Sequence, residues 1–225
     1  MNLFGVLSEV YPTLLTGLTM TVKITILSLI IALVIGIFVC LMNISSNIVL
    51  RGIAKFYIWL IRGTPMLVQA FYFYFALPQL IQAVTGSQFR ITVFTASLVT
   101  LALNAGAYIS EIMRSGIQSV DPGQMEAGRS LGFNYAQTMF YIIMPQAFKN
   151  VLPALGNEFI VLLKETSVSG YIALQDLTKG GDIIRSRTYD AFMPLIAVAL
   201  IYLVMVMVFT KCVNLLERRL RNSDH

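Results

Sequence analysis

Asp121-Pro122-Gly123-Gln124-Met125-Glu126-Ala127-Gly128-Arg129-Ser130-Leu131-Gly132 is a polar stretch between long apolar ones, and it runs on to Ile142-Ile143-Met144-Pro145. It begins like a capped helix. The Asp121 carboxylate can accept from the free N–H groups of a first turn, and Pro122 suits the first helical position because it has no N–H to lose. Gly132 suits a left-handed stop. The pattern predicts a short helix of about three turns. It is too polar for hydrocarbon, so it must lie outside a bilayer if its neighbours cross one.

The neighbours do read as membrane spans. The chain has 225 residues, of which 57% are hydrophobic and 12% charged, and its mean hydropathy is +0.76. Soluble chains carry about 25% charged residues, so a soluble enzyme is excluded. Residues 24–50, 63–89, 91–110 and 191–210 contain no Asp, Glu, Lys or Arg. Each is long enough for a helix to cross a bilayer, which takes roughly 20 residues. A lone strand in lipid cannot satisfy its backbone, and the alternation of an outer-membrane barrel is absent, so the class is all-α and polytopic. No internal repeat divides it, so residues 1–225 form a single transmembrane domain.

In chain order, span one runs from about Leu14 to Met42, with Thr16, Thr19, Thr21 and Thr25 making its first half amphipathic. Lys23 reads as snorkelling. A turn at 43–47 leads to a short interfacial helix. Pro65 in Gly63-Thr64-Pro65 then predicts a break, followed by span two to about Leu80. Span three covers about Ile91 to Met113, and the polar region 114–145 follows, with Asn134 as a cap. Residues 146–165 form a fourth span carrying Lys149, Glu158, Lys164 and Glu165. Residues 166–190 are mixed and would make a sixth span if they inserted. The last span runs from about Ala191 to Leu215.

Basic residues orient these five spans. With 114–145 in the cytoplasm, Arg51, Lys55, Arg114, Arg129, Lys149, Lys211, Arg218, Arg219 and Arg221 lie inside, against Arg90, Lys164, Lys179, Arg185 and Arg187 outside. That excess inside supports the orientation. It also accounts for the net charge of +5 without a nucleic-acid partner. Cys40 and Cys212 read as unpaired packing residues. The single histidine, His225, argues against a His-based metal or catalytic site, and no cleavable signal peptide is expected. No G-x-x-x-x-G-K-[ST] phosphate loop occurs, so the chain does not hydrolyse ATP through that motif. The remaining chemistry is passage and its control.

Glu126-Ala127-Gly128, then Gly132, then Ile142-x-Met144-Pro145 resembles the EAA signature of permease subunits of ABC importers, which reads E-A-A, three residues, G, nine residues, I-x-L-P. Gly128 replaces the second alanine and Met144 the leucine. In an isolated helix the glycine costs about 0.5–1 kcal/mol relative to alanine. Arg62-Gly63-Thr64-Pro65-Met66-Leu67-Val68-Gln69, Ala107 to Ile117, Leu152 to Ile160, Lys164-Glu165-Thr166-Ser167 and Glu217-Arg218-Arg219 are similar to the polar amino-acid branch of that family, the histidine, glutamine and arginine type. The likeness covers nearly the whole chain. It implies a type I ABC importer permease fold in a bacterial inner, cytoplasmic membrane, with a coupling helix in the region 114–145 seated in a separate ATPase subunit. Glu126, Ala127, Gly128, Arg129 and Gly132 would make that contact. The partner ATPase would bind ATP and Mg, and this chain would hold no cofactor. A second permease chain, identical or different, would complete the pathway, and an extracytoplasmic solute-binding protein would deliver an amino acid.

The residues themselves suggest where the substrate is read. Ionisable groups at membrane depth are functional suspects, and Glu158 is flanked by Phe159, Ile160, Val161 and Leu162. It could pair with an amino group or a cationic side chain, or with Lys164 or Arg62 inside the protein. Asn104, Tyr108 and Glu111 share a helical face. The first two could bind a zwitterion or make contacts between helices, while Glu111 should pair with Arg114 or Lys55. Gln69 and Tyr72, after the Pro65 break, could line the same cavity. The alternative is a stand-alone secondary amino-acid transporter or channel, which often carries repeats.

Overall fold

The computed structural model describes residues 3–221, with side chains from 10 to 218. His225 and the side chains of Arg219 and Arg221 lie outside the described residues. Ten α-helices follow one another among the described residues: α1 (Leu3–Ile44), α2 (Ile48–Arg62), α3 (Met66–Phe71), α4 (Leu77–Thr85), α5 (Val93–Gln118), α6 (Pro122–Ser130), α7 (Tyr135–Thr138), α8 (Met144–Glu165), α9 (Leu177–Thr188) and α10 (Phe192–Arg221). Wide π turns at Tyr72–Ala76 and Met139–Ile143 join α3 to α4 and α7 to α8, and a 3₁₀ helix covers Thr166–Ile172. Four stretches are long and apolar enough to cross a membrane: Val10–Ile44, Met66–Thr85, Val93–Gln118 and Phe192–Arg218. The fifth long helix is α8, whose charged residues lower its hydropathy.

Helices α1 and α5 form the centre, and they run in the same direction. Thr21, Ile24, Thr25, Ser28 and Ala32 are fully enclosed on one face of α1. The polar side of span one therefore faces protein, and its outer side, with Ile30, Val34 and Phe38, is exposed. Small residues let the two backbones approach, which is how helices associate where lipid offers no hydrophobic drive. A Cβ at Gly36 would sit 2.5 Å from Ile109 Cγ2, and one at Gly106 would sit 2.8 Å from Ile35 Cγ2. Lys23 lies over the Phe94 ring at 5.4 Å, so its cation is held by an aromatic face and not only by snorkelling.

The break at Pro65 is real and has a definite construction. Proline supplies no N–H to the carbonyl of Ile61, four residues back. Gln69 Nε2 donates to that carbonyl at 2.8 Å and to Thr64 O and Oγ1 at 3.1 and 2.9 Å. Thr64 Oγ1 in turn donates to Leu60 O at 2.8 Å. Side chains thus cap the orphaned carbonyls at the end of α2. Both π turns also stand just ahead of a proline, Pro78 or Pro145. There the helix widens by one residue instead of breaking, which relieves the clash of the ring with the carbonyl behind it.

Residues 166–190 do not form a sixth span. Helix α9 lies across the end of the bundle against α1 and α10. Asp176 caps it, accepting from Thr178 N at 3.1 Å and Lys179 N at 2.9 Å, and Leu177 N donates to Thr21 Oγ1 at 3.0 Å. The approach of α9 to α1 is backbone to backbone. A Cβ on Gly17 would lie 2.6 Å from Asp176 O and 2.9 Å from Leu177 Cα.

Candidate functional site

At the opposite end of the bundle the polar stretch folds as its caps require. Asp121 Oδ1 accepts from Gly123 N at 2.8 Å, Pro122 opens α6, and Gly132 takes a φ of +90° just past the helix end. Gly132 N donates to Arg129 O at 3.0 Å and Phe133 N to Gly128 O at 3.2 Å. Asn134 and Gln137 then form a reciprocal capping box at the start of α7, the arrangement that satisfies two free donors at once. Glu126, Ala127 and Arg129 are exposed along α6, whereas Gly128 is buried. The open face therefore carries Glu126 and Arg129, and the packed face carries the glycine.

Between α2, α5 and α8 lies a cavity of about 710 Å³ lined by Arg62, Tyr108, Glu111, Arg114, Asn150 and Ala154, among others. Its centre is the Glu111 carboxylate. Arg114 donates to it through Nε at 3.0 Å and Nη2 at 2.9 Å, a two-pronged pairing that fixes both planes. Asn43 Nδ2, at the end of α1, donates to Oε1 at 3.2 Å. Arg62 Nη1 stands 3.8 Å from Oε2, and its guanidinium covers the Tyr108 ring at 4.9 Å. One carboxylate thus ties together three elements. Of the two expected partners, Arg114 is the one used, with Arg62 in place of Lys55.

The suspected substrate residues separate into two groups. Gln69 and Asn104 are buried and bound to each other, with Asn104 Nδ2 donating to Gln69 Oε1 at 3.3 Å. Gln69 has both its N–H groups spent on the end of α2, so it holds the break together. Tyr108 faces the cavity through Arg62. Tyr72 is exposed at the start of a π turn, with its ring edge-on to Phe73 at 5.4 Å, and it is not among the residues lining the cavity.

Glu158 is 7% exposed. It stands one turn beyond Ala154 and two beyond Asn150, on the face of α8 that turns to the cavity. Neither internal ion pair forms: among the described residues no lysine or arginine lies within 4 Å of its carboxylate, and Arg62 is engaged at Glu111 and Tyr108. The charges whose fields reach it are Arg62 and Glu165. Sequence reasoning missed Arg62 as a cavity residue. Its position immediately before Gly63-Thr64-Pro65 was the available signal, since a cation at a broken helix end cannot be part of a continuous lipid-facing surface.

The chain matches the family model described as binding-protein-dependent transport system inner membrane component over residues 32–222. It is 41% identical over 213 residues to the arginine transport system permease protein ArtQ of Bacillus subtilis, covering 95% of this chain and 94% of that one. It is 37% identical over 210 residues to the glutamine transport system permease protein GlnP of Escherichia coli, covering 93% and 94%. Among solved structures, a chain of the crystal structure of an amino acid ABC transporter with histidines superposes with a TM-score of 0.89 at 46% identity, covering 97% of this chain and 99% of that one. The MetNI methionine ABC transporter, at 19% identity, shares the fold with a TM-score of 0.76 over 92% of this chain and 96% of that one. The architecture is that of an ABC importer permease, and the chain belongs to the family of inner membrane components of binding-protein-dependent transport systems.

Proposed function

We propose that this permease passes a polar amino acid along the cavity between α5 and α8, and that Glu158 reads the positive charge of that substrate. The chain is the transmembrane subunit of an ATP-driven amino-acid importer. It forms the pathway with a second permease chain, and hydrolysis belongs to a separate ATPase subunit that holds ATP and Mg. A solute-binding protein outside a bacterial inner membrane delivers the substrate. Helix α6, with Glu126 and Arg129 on its open face, is the part that seats in the ATPase. The observation carrying the substrate reading is a buried carboxylate without a salt-bridge partner among the described residues, on the helix face that also lines the cavity. A charge buried this deeply is costly unless something compensates it, and a cationic substrate would do so while it passes.

In the reconstituted importer, Glu158→Gln keeps the shape and removes the charge. A pair at about 4 Å and an effective dielectric near 20 gives about 4 kcal/mol of attraction, part of it offset by desolvation. Uptake of arginine should fall by about tenfold or more, and uptake of glutamine by much less. An equal loss for both substrates would remove the charge-reading role.

A further inference from the structure

Gly128 and Thr138 face each other across the turn between α6 and α7, and their fit is tight. A Cβ on Gly128 would lie 2.6 Å from Thr138 Cγ2, 3.1 Å from its Oγ1 and 2.8 Å from Ile142 Cδ1. These neighbours differ in how far they can yield. Ile142 Cδ1 is the end of a flexible side chain. Thr138 is fully enclosed and β-branched, so its χ1 is stiff, and its hydroxyl donates to Asn134 O at 3.0 Å. Swinging its methyl away would break that bond beside the capping box. The glycine that looked like a weakness of α6 is the only residue the joint admits without a shift.

Thr138 belongs to a continuous rod. From Asn134 the chain runs through α7, the π turn and α8 without a break, carrying Thr138 near one end and Glu158 toward the other. Helix α6 is joined to that rod by only a short turn, and the Phe133 N to Gly128 O bond closes it.

We propose that Thr138 is a positioning residue for coupling. Its methyl group and the bare face of Gly128 form a keyed joint that makes α6 and the rod turn as one body, so that a displacement of α6 reaches α8. The proposal rests on α6 being the helix that meets the ATPase.

The test uses the complete importer in proteoliposomes and reads arginine and glutamine uptake per ATP hydrolysed, together with the unfolding midpoint. Gly128→Ala should lower uptake per ATP by about tenfold while hydrolysis continues, because overpacking a stiff contact shifts the joint. Adding Thr138→Ser, which removes Cγ2 and keeps the hydroxyl, should bring the ratio back to within about twofold of the parent. Adding Thr138→Val instead keeps the obstructing shape and should not rescue. An unchanged ratio in Gly128→Ala, or no rescue by Thr138→Ser, overturns the proposal. If Gly128→Ala does not assemble, recovery of assembly with Thr138→Ser is the supporting result, and its failure overturns the proposal equally. Glu126→Arg, on the exposed face away from the joint, separates the two readings. If it leaves ATPase association and uptake intact, the role of α6 falls, while the Gly128→Ala and Thr138→Ser pattern in the unfolding midpoint still reports on the joint.

Discussion

Replacing Gln69 with leucine should damage the protein's stability far more than its recognition of substrate. The amide of Gln69 closes four hydrogen bonds: it donates to Ile61 O, Thr64 O and Thr64 Oγ1, and accepts from Asn104 Nδ2. Leucine fills the volume and serves none of them. Thr64 is exposed, so water can replace its lost partner. Ile61 and Asn104 are 8% and 5% exposed, and the residue that would normally serve the Ile61 carbonyl is Pro65. Two buried groups left unsatisfied cost about 1–3 kcal/mol each, hence about 2–6 kcal/mol together. For a chain of this size each kcal/mol moves the midpoint by roughly 2–4 °C, so a fall of at least about 4 °C is expected. The chain's single tryptophan, Trp59, lies in α2 close to the break, and its fluorescence during heating of the detergent-solubilised protein reports the transition directly. A variant whose midpoint stays within about 1 °C of the parent, with the main defect a raised KM for substrate, would refute the reasoning and return Gln69 to the substrate site.

Two further predictions concern the α9 end. Gly17→Ala places a methyl against the Asp176 and Leu177 backbone, which cannot rotate away, so the variant should lose about 1–3 kcal/mol in thermal unfolding; a loss under about 0.5 kcal/mol would mean that α9 floats on α1. On α9, Lys179 and Arg185 bond to Asp182 and hold its carboxyl below the usual carboxylate range. A depressed folded pKa gives stability that is present above the unfolded value and lost as pH falls through the folded one. Protection of α9 amides, corrected for intrinsic exchange, should therefore decline below about pH 4 by less than about 1 kcal/mol, since the pairs are largely open to solvent. Asp182→Asn should flatten that decline, and an unchanged slope would assign it to another group.

Much of the fold was legible because membranes punish exceptions. Charge-free runs mark α1, α5 and α10, and proline marks the break before α3. Caps mark both ends of α6, since Asp121, Pro122 and Gly132 each have a local job that does not depend on distant contacts. What stayed hidden depends on what meets what. The threonine face of α1 could have lined a cavity or a helix contact, and only packing against α5 decides. Gln69 looked like a ligand residue because a buried amide in a transporter can serve either purpose. Its commitment to Ile61 O follows from the missing N–H of Pro65, which the sequence does contain. Residues 166–190 stayed ambiguous because α9 packs through Gly17, a contact that leaves no hydrophobic pattern. Glu158 was visible as an oddity, but its lack of an ion pair requires knowing that Arg62 is held at Glu111.

Three prolines each leave a carbonyl without its helical donor, and the chain answers in two ways with different mechanical results. At Pro65 the helix ends and a side-chain amide staples the ends, which makes a fixed corner. At Pro78 and Pro145 the helix continues through a wide turn. A wide turn takes one more residue than an α turn, so side chains beyond it are set back by about 100° relative to an unbroken helix. In the rod this set-back falls between Thr138 and Glu158. Residues 138 and 142 then face α6, while Asn150, Ala154 and Glu158 face the cavity. Without it, one straight helix could not present both faces in register. The proline of the signature therefore has a geometric task that a helix-stop reading misses: it lets a single continuous rod carry a joint at one end and a buried carboxylate toward the other.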